Sequence, residues 1–314
     1  MEAATASSSA APRAPALGAP RRRWGEDLIK ALLILAALLS VLTTTGIVIS
    51  LLGETITFFK EVSLSEFLTA EKWSPVIEPK KYGIRPLVLG TFLATGIALA
   101  VAVPLGLGSA LYLSEYATPR TRRMVKPLLE LLAGVPTIVF GYFALTFFTP
   151  EILQGLLNVK VSIFNILAAG VVMGFMIVPT IASVSEDALS AVPQSLREGA
   201  YGLGASRLQT SLRVVFPAAL SGVVASVVLG MSRAIGETMI LLVAAGQIAS
   251  NSLDPREPHY TLASFIASLA KGDLPTGSLD YKTIFAAGTT LFVITLILNF
   301  VSIRFVRRFR QVYE

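Results

Sequence analysis

"SEDALSAVPQSLREGAYGLGASRLQTSLRVVFPAAL", Ser185 to Leu220, joins two long apolar runs. Two helical stretches meet in it near Gly204. Pro193 is suited to the start of the first, with Ser190 as an upstream cap. Leu196, Ala200 and Leu203 fall on one face of that helix. Gly204 lacks a Cβ and permits a turn, and Pro217 is placed to open the apolar helix that follows. Connections between neighbouring helices are commonly two to eight residues. This one, residues 186–213, is far longer and patterned, with small residues along one side. Such a segment reads as a docking element for a partner at the membrane surface.

The rest of the chain supplies the membrane. Of 314 residues, 54% are hydrophobic and 15% charged, against about a quarter charged in soluble domains; mean hydropathy is +0.70. Six runs are long and apolar enough to span: Ala31–Leu52, Leu87–Leu113, Leu128–Phe148, Ile163–Val184, Pro217–Ala245 and Ile284–Phe305. The expected class is all-α, polytopic, with six transmembrane helices. The second, third and fourth contain Pro104, Pro136 and Pro179, tolerated where neighbouring helices satisfy the freed backbone groups. Gly90, Ala94, Ala98, Ala102 and Gly106 form a small-residue stripe that lets a second helix approach, ordinary packing being its simplest use.

Residues 1–24 begin with an Ala/Ser/Pro-rich stretch that cannot bury a core and is expected to be a disordered tail, with Trp24 at the interface. The first apolar run exceeds a signal h-region and lacks a small-residue cleavage site, so it is expected to remain as a helix. Residues 25–86 then comprise the first span and an external loop, and 87–314 a five-helix core containing the loop 186–213. Most of the 26 Lys and Arg residues fall on one side if both termini are cytoplasmic: those before Ala31, those of the 2–3 loop (Arg120, Arg122, Arg123, Lys126), those of the 4–5 loop (Arg197, Arg207, Arg213) and those after Ile303. This bias accounts for the net charge of +6 without nucleic acid as a partner. The external loops, Gly53–Pro86 and Gly246–Lys282, either lie on the membrane or face an external partner.

No cysteine is present, and the one histidine, His259, falls in a polar loop with no metal-ligand cluster around it, where exposure and an incidental role are expected. No G-x-x-x-x-G-K-[ST] phosphate loop occurs, so ATP hydrolysis is not expected from this chain. "GLGSAL" at Gly106 and "GLGASR" at Gly202 are incomplete glycine strings on membrane or loop segments. No nucleophile–base arrangement suggests an enzyme.

"SRAIGETM", Ser232 to Met239, places an arginine and a glutamate inside the fifth apolar run. Each ionised group at a bilayer centre costs about 2.5–3.5 kcal/mol on insertion scales. On a continuous helix Arg233 and Glu237 share a face. They either neutralise one another as scaffolding or face a pathway, as intramembrane charges usually do. Ser232 and Thr238 can add neutral hydrogen bonds or bond back to their own helix. Glu130, near the cytoplasmic end of the third run, is expected to pair with a cytoplasmic Arg or with Lys126, and is an accessory candidate otherwise.

The 4–5 loop resembles the EAA motif of ABC-importer permeases: Glu198, Gly199 and Ala200 open it, Gly204 takes the glycine position, and Val214, Phe216 and Pro217 close it. Gly199 and Phe216 replace the usual Ala and Leu. The resemblance implies the type I permease fold and a loop that couples to an ATPase. "LVLGTFLATGIALAVAVPLGLGSALYLSEYA", "LLELLAGVPTIVFGYF", "VPQSLREGAYGLGAS" and "SRAIGETM" resemble the permeases of the phosphate-specific ABC importer. "FLTAEKWSP" and "YGIRPLVLGT" resemble its PstC type more than its PstA type. That family implies a bacterial plasma (inner) membrane protein, a heterodimer with a second permease, an ATPase homodimer holding ATP and Mg, and an external phosphate-binding protein. Arg233 would then be a transient phosphate contact, its planar donors matching phosphate oxygens. Glu237 would compete for Arg233 and prevent trapping, or accept a hydrogen bond from a protonated phosphate oxygen. The alternatives are the partner permease, a permease for another oxyanion, and a stand-alone secondary transporter with inverted repeats.

Overall fold

In the computed structural model, residues 24–270 and 274–309 are described. The expected disordered tail through residue 23, part of the second loop (residues 271–273), the last basic residue after Ile303 (Arg310), and the side chains of Trp24, Arg307 and Arg308 fall outside that description. The chain divides into two compact units, Met1–Ser50 and Leu51–Glu314. The described part of the first is helix, the beginning of α1 (Trp24–Phe59), with Leu35, Leu39 and Leu42 exposed.

In the second unit the tail of α1 leads to a short helix α2 (Leu64–Thr69) and a two-stranded antiparallel ribbon, β1 (Trp73–Ser74) and β2 (Lys81–Tyr82). α3 (Arg85–Leu111) ends in a π turn, Tyr112–Tyr116. α4 (Pro119–Ala133) stops at Gly134, and α5 (Thr137–Phe143) continues π-wound through Leu156. α6 (Ile166–Ser190) is followed by α7 (Gln194–Gly202), α8 (Arg207–Thr210) with a π turn Ser211–Val215, and α9 (Phe216–Ala218). α10 (Leu220–Ile235), a π turn Leu241–Ala245, α11 (Leu262–Leu269) and α12 (Leu279–Phe309) complete the order. Among the described residues, five helices are long and apolar enough to cross a membrane; the pair Arg207–Ala218 and Leu220–Ile235, bent by 73°, makes a sixth if it counts as one broken span.

The packing centre is α3 against α6, and the small-residue stripe makes it possible. Ala94, Ala98 and Ala102 are fully buried. A Cβ at Gly174 of α6 would lie 2.8 Å from the Ala98 carbonyl oxygen, so only glycine admits so close an approach. The third span differs from the sequence expectation: it runs Thr137–Leu156, not from Leu128. Gly134 and Pro136 break the helix there, because Pro136 cannot donate into it and disfavours a helical Val135. Glu130 therefore sits on α4, whose Arg/Lys-bearing face marks it as a surface helix, rather than within the span. Pro217 is likewise displaced from its expected role. It occupies the first turn of α9, where its missing N–H is not needed, and α10 begins at Leu220 after the bend at Ala219.

The first loop expected outside, residues 53–86, neither lies free nor remains open. Phe58, Phe67, Trp73 and Tyr82 form an edge-to-face aromatic cluster that continues onto Phe265 of α11, Trp73 and Phe265 being 5.1 Å apart at their ring centroids. Burial of such rings contributes both area and favourable quadrupole geometry. Asn251 reaches the Glu71 carbonyl, and Lys80 pairs with Asp280 at 2.8 Å. The two loops expected outside thus fold onto one another and onto the start of α12. His259 departs from its expected exposure: it is fully buried, with Nδ1 3.0 Å from the Glu257 carbonyl oxygen and Nε2 2.7 Å from that of Ser252. It is a structural staple of the second loop, bridging residues already close in sequence.

Candidate functional site

The run "SRAIGETM" is not one continuous helix. α10 ends at Ile235 with Gly236 as its cap, and helical winding resumes at Met239. Glu237 and Thr238 lie in the gap. The expected helix-face pair of Arg233 and Glu237 is accordingly absent, and among the described residues no ion pair joins them. Glu237, 7% exposed, instead turns its Oε1 to the next segment, accepting N–H bonds from Met239 (3.0 Å) and Ile240 (3.3 Å). A carboxylate there meets donors that have no intrahelical partner and favourable dipoles.

Arg233, half-buried in the last turn of α10, reaches across to α6, where its Nη1 donates to the Thr180 Oγ1 at 3.1 Å. It has no carboxylate partner among the described residues. Ser232 bonds Asn299 of α12 at 3.4 Å, and Thr238 bonds back to the Gly236 carbonyl. Arg233 thus ties α10 to α6 through Thr180, and Ser232 ties α10 to α12 through Asn299, while Glu237 turns to the following segment. Thr180 and Asn299 escape a sequence reading focused on charges. The available signals were a threonine directly after Pro179 and an amide within the last apolar run.

The cytoplasmic-side expectations can be placed the same way. Glu130 forms no ion pair among the described residues. Lys126, its expected partner, binds Glu186 (2.9 Å) and Asp187 (3.0 Å). These hydrogen bonds, Glu186 first, hold the Lys126 pKa above the ordinary lysine value. Glu186 is 1% exposed and also binds Arg122; two cations meet one buried carboxylate, as burial of a charge requires. Ser190 does not cap α7: its hydroxyl accepts from Arg122 and faces Glu186, and Pro193 occupies the cap position with no side-chain bond.

α7, the turn and α8 form the loop itself. Gly204 adopts φ +82, the left-handed region where glycine is unstrained. Ser206 and Gln209 form a reciprocal capping box that starts α8. Of the expected Leu196–Ala200–Leu203 face, Leu196 and Ala200 are half-buried, but Leu203 lies past the helix end and is 91% exposed. Glu198, Gly199 and Gly202 are exposed, and a Cβ at either glycine would meet nothing within 4 Å.

A family profile described as "Binding-protein-dependent transport system inner membrane component" matches residues 102–312. A probable ABC transporter permease protein of Bacillus subtilis (YqgH) is 36% identical over 75% of each chain. A phosphate transport system permease protein of Haemophilus influenzae (PstC) is 33% identical over 92% of this chain and 95% of that one. Among solved structures, a bacterial ABC transporter that imports alginate, in complex with its periplasmic protein, has a chain with TM-score 0.63 at 16% identity, covering 92% of this chain and 98% of that one. The methionine transporter MetNI has one with TM-score 0.53 at 18% identity, covering 73% and 95%. At these identities the structures attest the fold. Membrane helices, fold and sequence relatives agree: the chain is a multi-pass membrane protein and belongs to the family of inner membrane components of binding-protein-dependent transport systems.

Proposed function

We propose that the chain is the PstC-type permease of an ATP-driven importer of inorganic phosphate. The observation that carries this reading is Arg233: an arginine inside a spanning segment, at a helix break, with a hydroxyl partner and, among the described residues, no counter-carboxylate. Non-helical backbone at membrane depth is tolerated where it is enclosed by protein or lines a cavity, and broken helices mark the binding regions of many transporters. A guanidinium matches phosphate oxygens bidentately, and Thr180 offers a neutral hydrogen bond beside it. The extensive similarity to permeases named for phosphate transport supports the same substrate.

In this reading Arg233 binds the ion transiently, since a site that holds too strongly cannot conduct. Glu237 fixes the break by capping the following segment rather than by competing for Arg233. Thr238 closes the turn, and Glu130 remains an accessory candidate, lining a cavity that Thr180 also borders. The segment from residue 87 onward is the permease core, and residues 186–213 the coupling loop. Glu198, Gly199 and Ala200, with the Gly204 turn and Pro217 behind them, present a surface to an ATPase subunit. Glycine within a helix costs about 1 kcal/mol relative to alanine; Gly199 and Gly202 have no packing reason for it inside this chain, which suits close approach by a partner. ATP and Mg belong to that partner, an ATPase homodimer. A second permease completes a heterodimer, an external binding protein delivers phosphate, and both termini are cytoplasmic. The test is reconstitution of the four components in liposomes. Phosphate uptake that requires ATP, binding protein and this chain supports the reading; uptake by this chain alone, driven by an ion gradient, contradicts it.

A further inference from the structure

Within residues 186–213, Glu186, Leu189, Val192, Thr210 and Ser211 are buried, but α7 between them has no buried residue. Leu196 is half-buried beside Leu189, Val192, Val215 and Ala219. The next residue, Arg197, is different in kind. Its side chain is 11% exposed, and its guanidinium donates to three acceptors on two other elements: Nη2 to the Glu115 Oε1 at 3.0 Å, Nη2 to the Leu189 carbonyl oxygen at 2.9 Å, and Nη1 to the Val192 carbonyl oxygen at 2.5 Å. Leu189 lies in the last turn of α6 and Val192 just beyond it. Glu115, 5% exposed, lies in the π turn that closes α3.

We propose that Arg197 is the positioning residue that transmits movement of α7 to α3 and α6, and so couples ATPase action to the transport site. This rests on the coupling role proposed for the loop. A planar fork with several fixed donors can bind a carboxylate and helix-end carbonyls together, so α7 cannot shift without shifting both helices or breaking charge-assisted bonds. From there the path is material. α3 and α6 are locked along the small-residue interface of Ala98 and Gly174, and α6 carries Thr180, which holds Arg233. The neighbouring cluster of Glu186 with Arg122 and Lys126 ties α4 to α6 without engaging α7. The Arg197 contact therefore does something that cluster does not. Contiguity alone is not coupling, and the two roles open to Arg197, a staple that folds the loop or a transmitter of motion, differ in what they do to stoichiometry.

The experiment uses the complete importer in liposomes, with inorganic phosphate, and measures phosphate transported per ATP hydrolysed. Arg197→Gln should assemble and retain ATPase activity, while phosphate per ATP falls about tenfold, within the range for loss of a coupling interaction. Arg197→Lys, which keeps the charge but not the fork, and Glu115→Gln, which keeps the carbonyl bonds but not the ion pair, should each fall by less. An unchanged ratio overturns the proposal, whether the rates themselves are normal or drop in step with the amount of assembled complex. If Arg197→Gln fails to assemble, the two milder variants decide by the same ratio. A wild-type complex that moves no phosphate refutes the transport reading itself, and the coupling role with it.

Discussion

Arg233 and Glu237 are separate devices, and single substitutions distinguish them. Glu237→Gln leaves an oxygen that can still accept from Met239 and Ile240, so assembly and uptake should stay near wild type. Glu237→Ala removes the cap, at a cost of about 1 kcal/mol, and should lower both the thermal stability of the purified complex and uptake. A Gln variant as impaired as the Ala variant would show that the charge, not the cap, matters. Thr180→Val leaves Arg233 without its hydroxyl. The side chain then samples more positions, and the KM for phosphate should rise about tenfold, at the low end for a hydrogen bond to a charged group because the site is half-buried. Steady-state uptake with kcat little changed would bear this out. At this scale the sequence revealed the charges but not their relation. The i,i+4 spacing of Arg233 and Glu237 presumes an unbroken helix, and the signal against it, Gly236 one residue before the glutamate, is weak because glycine is common in membrane helices.

Elements were legible where hydropathy is sustained and illegible where a span is bent. The spans at Arg85–Tyr116, Ile166–Ser190 and Leu279–Val306 lie close to their sequence runs. The third shifted because "AGVP" carries its own helix break, readable from Gly134 and Pro136 once a surface helix is weighed against a long span. The 73° bend at Ala219 follows Pro217 and the π turn Ser211–Val215, whereas the sequence reading takes Pro217 as the opening of the next helix rather than as a kink. The Gly204 turn was legible because few other residues adopt its backbone. Gly204→Ala should cost about 1–2 kcal/mol at φ +82, while Gly204→Pro cannot reach that φ at all. The expected outcome is graded: Ala weakens and Pro abolishes stimulation of ATPase by the loaded binding protein, with membrane insertion intact. Equal, wild-type stimulation in both would remove the turn from coupling. The Lys126–Glu186 contact should not make transport pH-sensitive near neutrality. A raised lysine pKa gives stabilisation that is complete below the unfolded value and lost only as pH rises through the folded one, above 10.5.

For the molecule as a whole, topology and Arg233 decide the function. On the proposed orientation, which follows the positive-inside bias, residues 186–213 face the cytoplasm and residues 53–86 lie outside. The chain lacks cysteine, so Ser63→Cys and Ser206→Cys can be labelled with an impermeant maleimide in intact cells; label is expected at 63 and not at 206. The membrane class was legible from composition, whereas the docking of the external loops through Trp73 and Phe265, and the burial of His259, depend on contacts distant in sequence. The most direct measurement is radiolabelled phosphate uptake by Arg233→Gln, normalised to assembled complex in the membrane. Loss of a charged, forked donor at a half-buried site predicts a fall of about a hundredfold, with normal assembly and a smaller deficit in Arg233→Lys. Uptake at the wild-type rate by Arg233→Gln would place the phosphate pathway elsewhere.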